Sequence, residues 1–116
     1  MSERETPLGS RQKAERYGRG AERWAELYLR LKFYRVLARR YKTPVGEIDL
    51  IVRRGPVIAF VEVKARADQD SGLYAISPAA QRRIARAAGL WLARFPDAHA
   101  FDVRFDAVVV MRRRGK

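Results

Sequence analysis

The sequence predicts an α/β domain of order helix, three strands, helix, strand, in which a mixed sheet carries helices on its faces. Three observations predict it. Residues 21–31 and 78–95 repeat apolar side chains at helical spacing. Residues 47–53 and 57–64 are dense in Ile, Val, Leu and Phe, and Gly55-Pro56 divides them as a tight turn divides a hairpin. A valine-rich segment follows the second helix, which makes that helix a crossover and its strand parallel to a neighbour.

The elements follow in order. Residues 1–19 are polar and basic, punctuated by Pro7, Gly9 and Gly18, and read as a flexible arm ahead of a single domain over 20–111. In the first helix Ala21, Trp24, Ala25, Tyr28, Leu29 and Leu31 make one apolar face. Trp24, like Trp91 later, is therefore expected in the core rather than as a base-stacking platform. Glu22 and Glu26 lie one turn apart at the edge of that stripe. Residues 33–41 alternate loosely and read as the first strand. The two central strands are apolar on both faces, as strands covered from two sides are. A polar loop over 66–77 leads to Ser77-Pro78, an N-cap followed by a first helical residue. The helix should run to about Phe95, with Ile84, Ala87, Ala88 and Trp91 inward, Arg82, Arg83 and Arg86 outward, and Pro96 ending it. The last strand spans 103–111, and a basic tail over 112–116 closes the chain.

Composition narrows the function. The chain has 25 Lys and Arg against 13 Asp and Glu, a net charge of +12. Such an excess strains the compact state unless a polyanion uses it, and nucleic acid is the commonest one. The bland alternative is a solvated surplus of arginine. The absence of cysteine excludes disulfides, thiol chemistry and Cys-based zinc sites, and it leans toward a reducing compartment. His99, the single histidine, sits between alanines and reads as a solvent or capping residue. Any metal must then be held by oxygen atoms, which favours Mg²⁺ or Mn²⁺. Charges stand at the N-terminus where a signal peptide needs an apolar stretch, and no apolar run approaches the roughly 20 residues of a membrane span. The expectation is a cytoplasmic protein that does not engage a membrane.

The chemistry concentrates in the hairpin. Asp49 stands between Ile48 and Leu50, and Glu62 between Val61 and Val63, with Lys64 next. Alternation puts Glu62 and Lys64 on one face of their strand. With Gly55 and Pro56 as turn residues, counting outward sets Asp49 opposite Glu62 and Glu47 opposite Lys64. Two partly buried carboxylates at that spacing repel, and one protonates unless a divalent cation lies between them. Metal, activated water and a nearby cation are the parts that phosphodiester hydrolysis uses. A salt-bridge cluster at a sheet end is the rival reading. Arg39, Arg40, Lys42, Arg53 and Arg54 are candidates to line a phosphate-tracking groove.

VGEIDLI followed by AFVEVKAR resembles the PD-(D/E)xK nuclease superfamily. More narrowly, GAERWAELYLRL, GEIDLIV, FVEVKAR and RFDAVVV together resemble the bacterial UPF0102 family over about Gly20 to Val110. The resemblance implies a restriction-endonuclease-like core similar to archaeal Holliday junction resolvases. It implies that Asp49 and Glu62 bind metal, that Lys64 is catalytic, and that Glu22 is a further metal or water ligand. Glu47 belongs to the GEIDLI motif and is a candidate partner of Lys64. Two positions depart from the family: Ala21 replaces a usual Gly, and Gln81 replaces a lysine common at the start of the second helix. Asp106, in RFDAVVV, is a family feature with no role assigned.

The leading expectation is an Mg²⁺- or Mn²⁺-dependent endonuclease acting on nucleic acid, DNA rather than RNA, and selective for branched structure, since no base-reading module is visible. A homodimer would suit a two-fold substrate. The rivals are a non-catalytic nucleic-acid binder on the same fold and a small basic interaction protein.

Overall fold

Gly55 takes φ +59°, a left-handed conformation that glycine adopts without penalty, and the chain reverses there between β2 (Gly46–Arg54) and β3 (Val57–Ala67). In the computed structural model, which describes residues 20–67, 77–95 and 97–112, the two strands pair antiparallel from Arg54–Val57 to Leu50–Val61, the register expected of that turn. β1 (Arg35–Thr43) lies antiparallel to β2, and β4 (Asp102–Arg112) parallel to β3. The sheet order is β1-β2-β3-β4, so β2 and β3 are interior, as their two-sided hydrophobicity requires.

A helix covers each face. Residues 20–31 form α1, and its Ala25 and Leu29 pack on Leu50, Val52, Ala59 and Val61. The second helix, α2 (Pro78–Leu92), packs Ile84, Ala87, Ala88 and Trp91 on Ile48, Ile51, Ile58 and Phe60. Those four helical positions are the ones the periodicity singles out. Phe60 is the centre of this layer, edge-on to Trp91 at 5.8 Å and stacked on Phe105 at 5.5 Å. Ser77 caps α2, its hydroxyl accepting the Ala80 N–H at 3.1 Å, and Pro78 opens the first turn.

Two expectations are corrected. The second helix stops at Leu92, not about Phe95: the Ala93 N–H makes the last α-helical bond, to the Gly89 carbonyl, and the N–H groups of Arg94 and Phe95 bond back only three residues, the tighter spacing that ends a helix. Phe95 then folds over Trp91 at 4.4 Å, and a 3-10 turn over Ala98–Ala100 leads into β4. The larger correction is Trp24, which is 64 % exposed and no part of the core. Ala21, Ala25 and Leu29, one turn apart, already supply a buried stripe. Trp24 and Tyr28 are left on the flank, beside Val108 and Val110 of β4. Tyr28 and Leu31 are also exposed, so the helix buries a narrower stripe than its apolar residues suggest. The basic arm over 1–19, the loop over 68–76, Pro96 and the tail over 113–116 lie outside the described residues.

Candidate active site

A slip in strand alternation builds the site. Ile51 packs on the α2 side and Leu50 and Val52 on the α1 side, as alternation demands, yet Ile48 packs on the α2 side as well. One step is therefore skipped at Asp49. The partner strand skips at the same place: Ala38 and Tyr41, an odd number of residues apart, both pack on the α2 side. Between them Arg40, which the flanking pairs Arg39–Leu50 and Tyr41–Ile48 set across from Asp49, has φ +50°. A left-handed conformation costs a non-glycine residue about 1–2 kcal/mol, and here it absorbs the slip. A bulge at Leu37, between the Val36 and Ala38 pairings, adds to the irregularity of this edge.

The slip frees the Asp49 carboxylate from the α2 face. It lies instead at the fork where the paired part of β2 and β3 ends, and its Oδ2 accepts the Val63 N–H at 2.7 Å. On its α1 side a cavity of about 190 Å³ is lined by Glu22, Arg23, Glu26, Arg39, Arg40 and Asp49. Burial raises the Asp49 pKa to about 6; the Val63 hydrogen bond works against this, and the negative charges of Glu22, Glu62 and Glu47 add to it. Asp49 thus senses three other carboxylates, including both further acids that the resemblance implicates.

Glu62 and Lys64 alternate with Val61 and Val63, which belong to the α1-side cluster. They are ion-paired with each other, Lys64 Nζ to Glu62 Oε2 at 3.0 Å. Glu47 lies 3.7 Å from Arg40, so its resolved ion pair is with Arg40 rather than Lys64. Among the described residues no three acidic or histidine side chains converge closely enough to hold a metal ion as they stand. The donors are nevertheless of the right kind. Asp49, Glu22 and Glu62 offer only hard oxygen atoms, and Asp49, whose pKa is raised first by burial and further by the neighbouring carboxylates, carries a burden that a divalent cation relieves.

The basic residues named from sequence are mostly engaged. Arg39 grips Glu26 through two hydrogen bonds of 2.8 and 2.7 Å, which holds the Glu26 carboxyl below its ordinary pKa. Arg53 donates to the Gly55 carbonyl and lies over the Phe101 ring; Arg54 donates to the Lys32 carbonyl and lies over Tyr34. Lys42 is exposed, as are Arg82, Arg83 and Arg86 along α2. His99 is exposed on the 3-10 turn, remote in sequence from the acids. Gln81 borders a second cavity with Phe60, Ile84 and Phe105. Asp106 pairs with Arg104 along β4 at 3.1 Å, which gives it a structural partner. Sequence reasoning missed the Glu26–Arg39 clamp and the left-handed Arg40. Both depend on how β1 meets α1 and β2, and no local signal announces them.

Fold and site together define a small α/β domain with a mixed four-stranded sheet, a half-buried aspartate at the fork of its central strands and a Glu62–Lys64 ion pair on the neighbouring strand. The model of the "Uncharacterised protein family UPF0102" matches residues 21–110, and the chain belongs to that family. It is 56 % identical over 104 residues to a UPF0102 protein of Agrobacterium fabrum, covering 90 % of this chain and 85 % of the relative. Similar matches are a UPF0102 protein of Chelativorans sp., 54 % identical over 105 residues with the same coverage, and one of Rhodopseudomonas palustris, 51 % identical over 108 residues, covering 93 % of this chain and 84 % of the relative. Among the described residues no helix is long and apolar enough to cross a membrane.

Proposed function

We propose that this chain is a divalent-metal-dependent nuclease that hydrolyses phosphodiester bonds in nucleic acid, DNA rather than RNA, in the cytoplasm. The observation that carries the reading is Asp49: a carboxyl at a strand fork, its pKa raised to about 6, among Glu22, Glu62 and Glu47 and near the Glu62–Lys64 pair. A fold gains nothing in stability from crowding acids around a half-buried aspartate, and a chain with a net charge of +12 has cations to spare elsewhere.

Asp49, Glu62 and Glu22 would hold Mg²⁺ or Mn²⁺, which in such sites polarises the phosphoryl group and lowers the pKa of a water. The side chains divide the remaining work. Asp49, fixed by the Val63 N–H, gives the site a rigid anchor. Glu62 keeps Lys64 in place, and the Lys64 ammonium offsets charge that develops on the phosphate oxygens or orients the attacking water. Arg40 and Arg23 at the cavity mouth attract the polyanion.

The test is incubation of the purified chain with labelled branched, duplex and single-stranded substrates in Mg²⁺, Mn²⁺ or EDTA. Cleavage of at least one substrate with metal and none in EDTA supports the nuclease. A second reading, a non-catalytic binder on the same fold, is favoured by the lack of three converged acids among the described residues and by the Glu62–Lys64 pairing. Tight binding across the panel with no cleavage in any metal selects it.

A further inference from the structure

α1 sits astride the sheet with different chemistry on its two flanks. Ala21, Ala25 and Leu29 face the sheet. Glu22 and Glu26 border the Asp49 cavity on one side. On the other, Trp24 and Tyr28 border a cleft of about 760 Å³ whose floor is β4 from Ala107 to Met111. These two rings stand one helical turn apart and are 64 % and 50 % exposed. Large aromatic faces left side by side in water mark a surface that takes a partner.

We propose that this cleft binds unpaired nucleobases, stacked on Trp24 and Tyr28, in the strand whose phosphate lies at Asp49. The proposal rests on the nuclease reading and names its substrate: nucleic acid with single-stranded nucleotides beside the scissile bond, not uninterrupted duplex. Aromatic side chains hold single strands in this way because every base has a π face, whereas paired bases inside a duplex offer none.

Charge and spacing choose this occupant. The chain carries a net charge of +12, and Lys32, a further turn along the same flank, holds its ammonium 5.3 Å from the Tyr28 ring centroid. A cation beside an aromatic platform suits a ligand that alternates flat bases with phosphates. Four residues of helix advance about 6 Å, close to two steps of about 3.4 Å along a nucleic-acid strand. The width of one helix, about 10–12 Å with side chains, separates the aromatic flank from the acid flank, a short reach for a strand laid across α1. The β4 floor beneath the rings, Val108 to Met111, is apolar and uncharged, suited to base edges. A second copy of the chain would bring another +12 charge to the same cleft, which opposes it as the occupant.

The test uses the full chain in EDTA with a labelled oligothymidylate of about ten nucleotides. Anisotropy gives affinity and tryptophan emission gives stacking. The chain has two tryptophans, and Trp91 is buried, so a quench on binding reports Trp24. Trp24→Ala and Tyr28→Ala should each weaken binding roughly five- to a hundredfold, the effect of one lost base stack. Trp24→Phe should keep most of the affinity and lose the quench. Blunt duplex should bind all variants within about twofold of wild type, and thermal melts matching wild type show that each variant is folded. Unchanged oligonucleotide affinity in both alanine variants overturns the proposal, as does a quench that persists in Trp24→Phe. If wild type sediments as a dimer, Trp24→Ala as a monomer, and affinity does not change, the cleft is a subunit interface and the proposal fails. Metal-dependent cleavage by wild type alongside indifferent Trp24 variants defeats this inference and leaves the nuclease standing. Wild type that binds no nucleic acid defeats both.

Discussion

Asp49→Asn should make the protein more stable at neutral pH while removing its function. Burial, with the neighbouring carboxylates, pushes the Asp49 pKa up to about 6 from its ordinary 3.8. Each pKa unit is about 1.36 kcal/mol, so a fully buried group would carry about 3 kcal/mol of destabilisation at pH 7. Asp49 is partly solvated, and screening reduces this to about 1–2 kcal/mol. Because the folded pKa is raised, the favourable contribution is complete below about 3.8 and is lost as the pH climbs through about 6. Asparagine has the same shape, retains an oxygen to accept the Val63 N–H and never ionises. Urea denaturation at pH 7 should show Asp49→Asn more stable by about 1–2 kcal/mol, and its Tm should rise by about 5–10 °C for a domain of this size. The advantage should shrink through pH 5 and disappear near pH 4. A variant less stable than wild type at pH 7, or a difference independent of pH, would refute the claim that burial and neighbouring carboxylates burden this residue.

Three further outcomes follow from the same geometry. Mn²⁺ competes with the proton on Asp49, so calorimetry should find affinity roughly three- to tenfold weaker at pH 5.5 than at pH 7.5, with protons released on binding; equal affinity at the two pH values would exclude Asp49 as a ligand. Phe60→Ala should cost about 3–5 kcal/mol by denaturant titration, because Phe60 is 1 % exposed and touches both Trp91 and Phe105; a loss below about 1 kcal/mol would mean that the α2-side core lies elsewhere. Nucleic-acid affinity measured by anisotropy should fall by at least tenfold between roughly 50 and 200 mM salt through counterion release, and a flat response would discredit the charge as a binding device.

The hairpin was legible because its determinants are local. Gly55-Pro56 specifies the turn, the turn specifies the register, and apolar residues on both faces place β2 and β3 inside the sheet. α2 was legible for the same reason, from Ser77-Pro78 and the spacing of Ile84, Ala87, Ala88 and Trp91. Trp24 was not. Helical periodicity tells which residues share a face, but not where the sheet beneath that face ends, and β4 ends it before Trp24 is covered. The positions of Asp49, Glu62 and Lys64 along their strands could be read, but not the slip that turns Asp49 into the fork. That slip needs Arg40 in a left-handed conformation on a neighbouring strand. Arg39, Arg53 and Arg54 read in sequence as candidates for a phosphate-tracking groove because their partners, Glu26, Phe101 and Tyr34, arrive only with the tertiary fold.

The most direct measurement is a paired rate and dissociation constant for wild type, Asp49→Ala, Glu62→Ala, Lys64→Ala and Lys64→Arg on the best substrate of the panel. A nuclease centre at these residues predicts metal-dependent cleavage by wild type alone. Without metal, the two acid variants should bind as tightly as wild type or slightly tighter, because each has lost a charge that repels phosphate. Lys64→Ala should bind modestly more weakly. Lys64→Arg should restore binding without cleavage, since a guanidinium keeps the charge but not the compact head or the exchangeable proton. Cleavage at the wild-type rate by all four variants would contradict the assignment and place the activity at another site or in a contaminant.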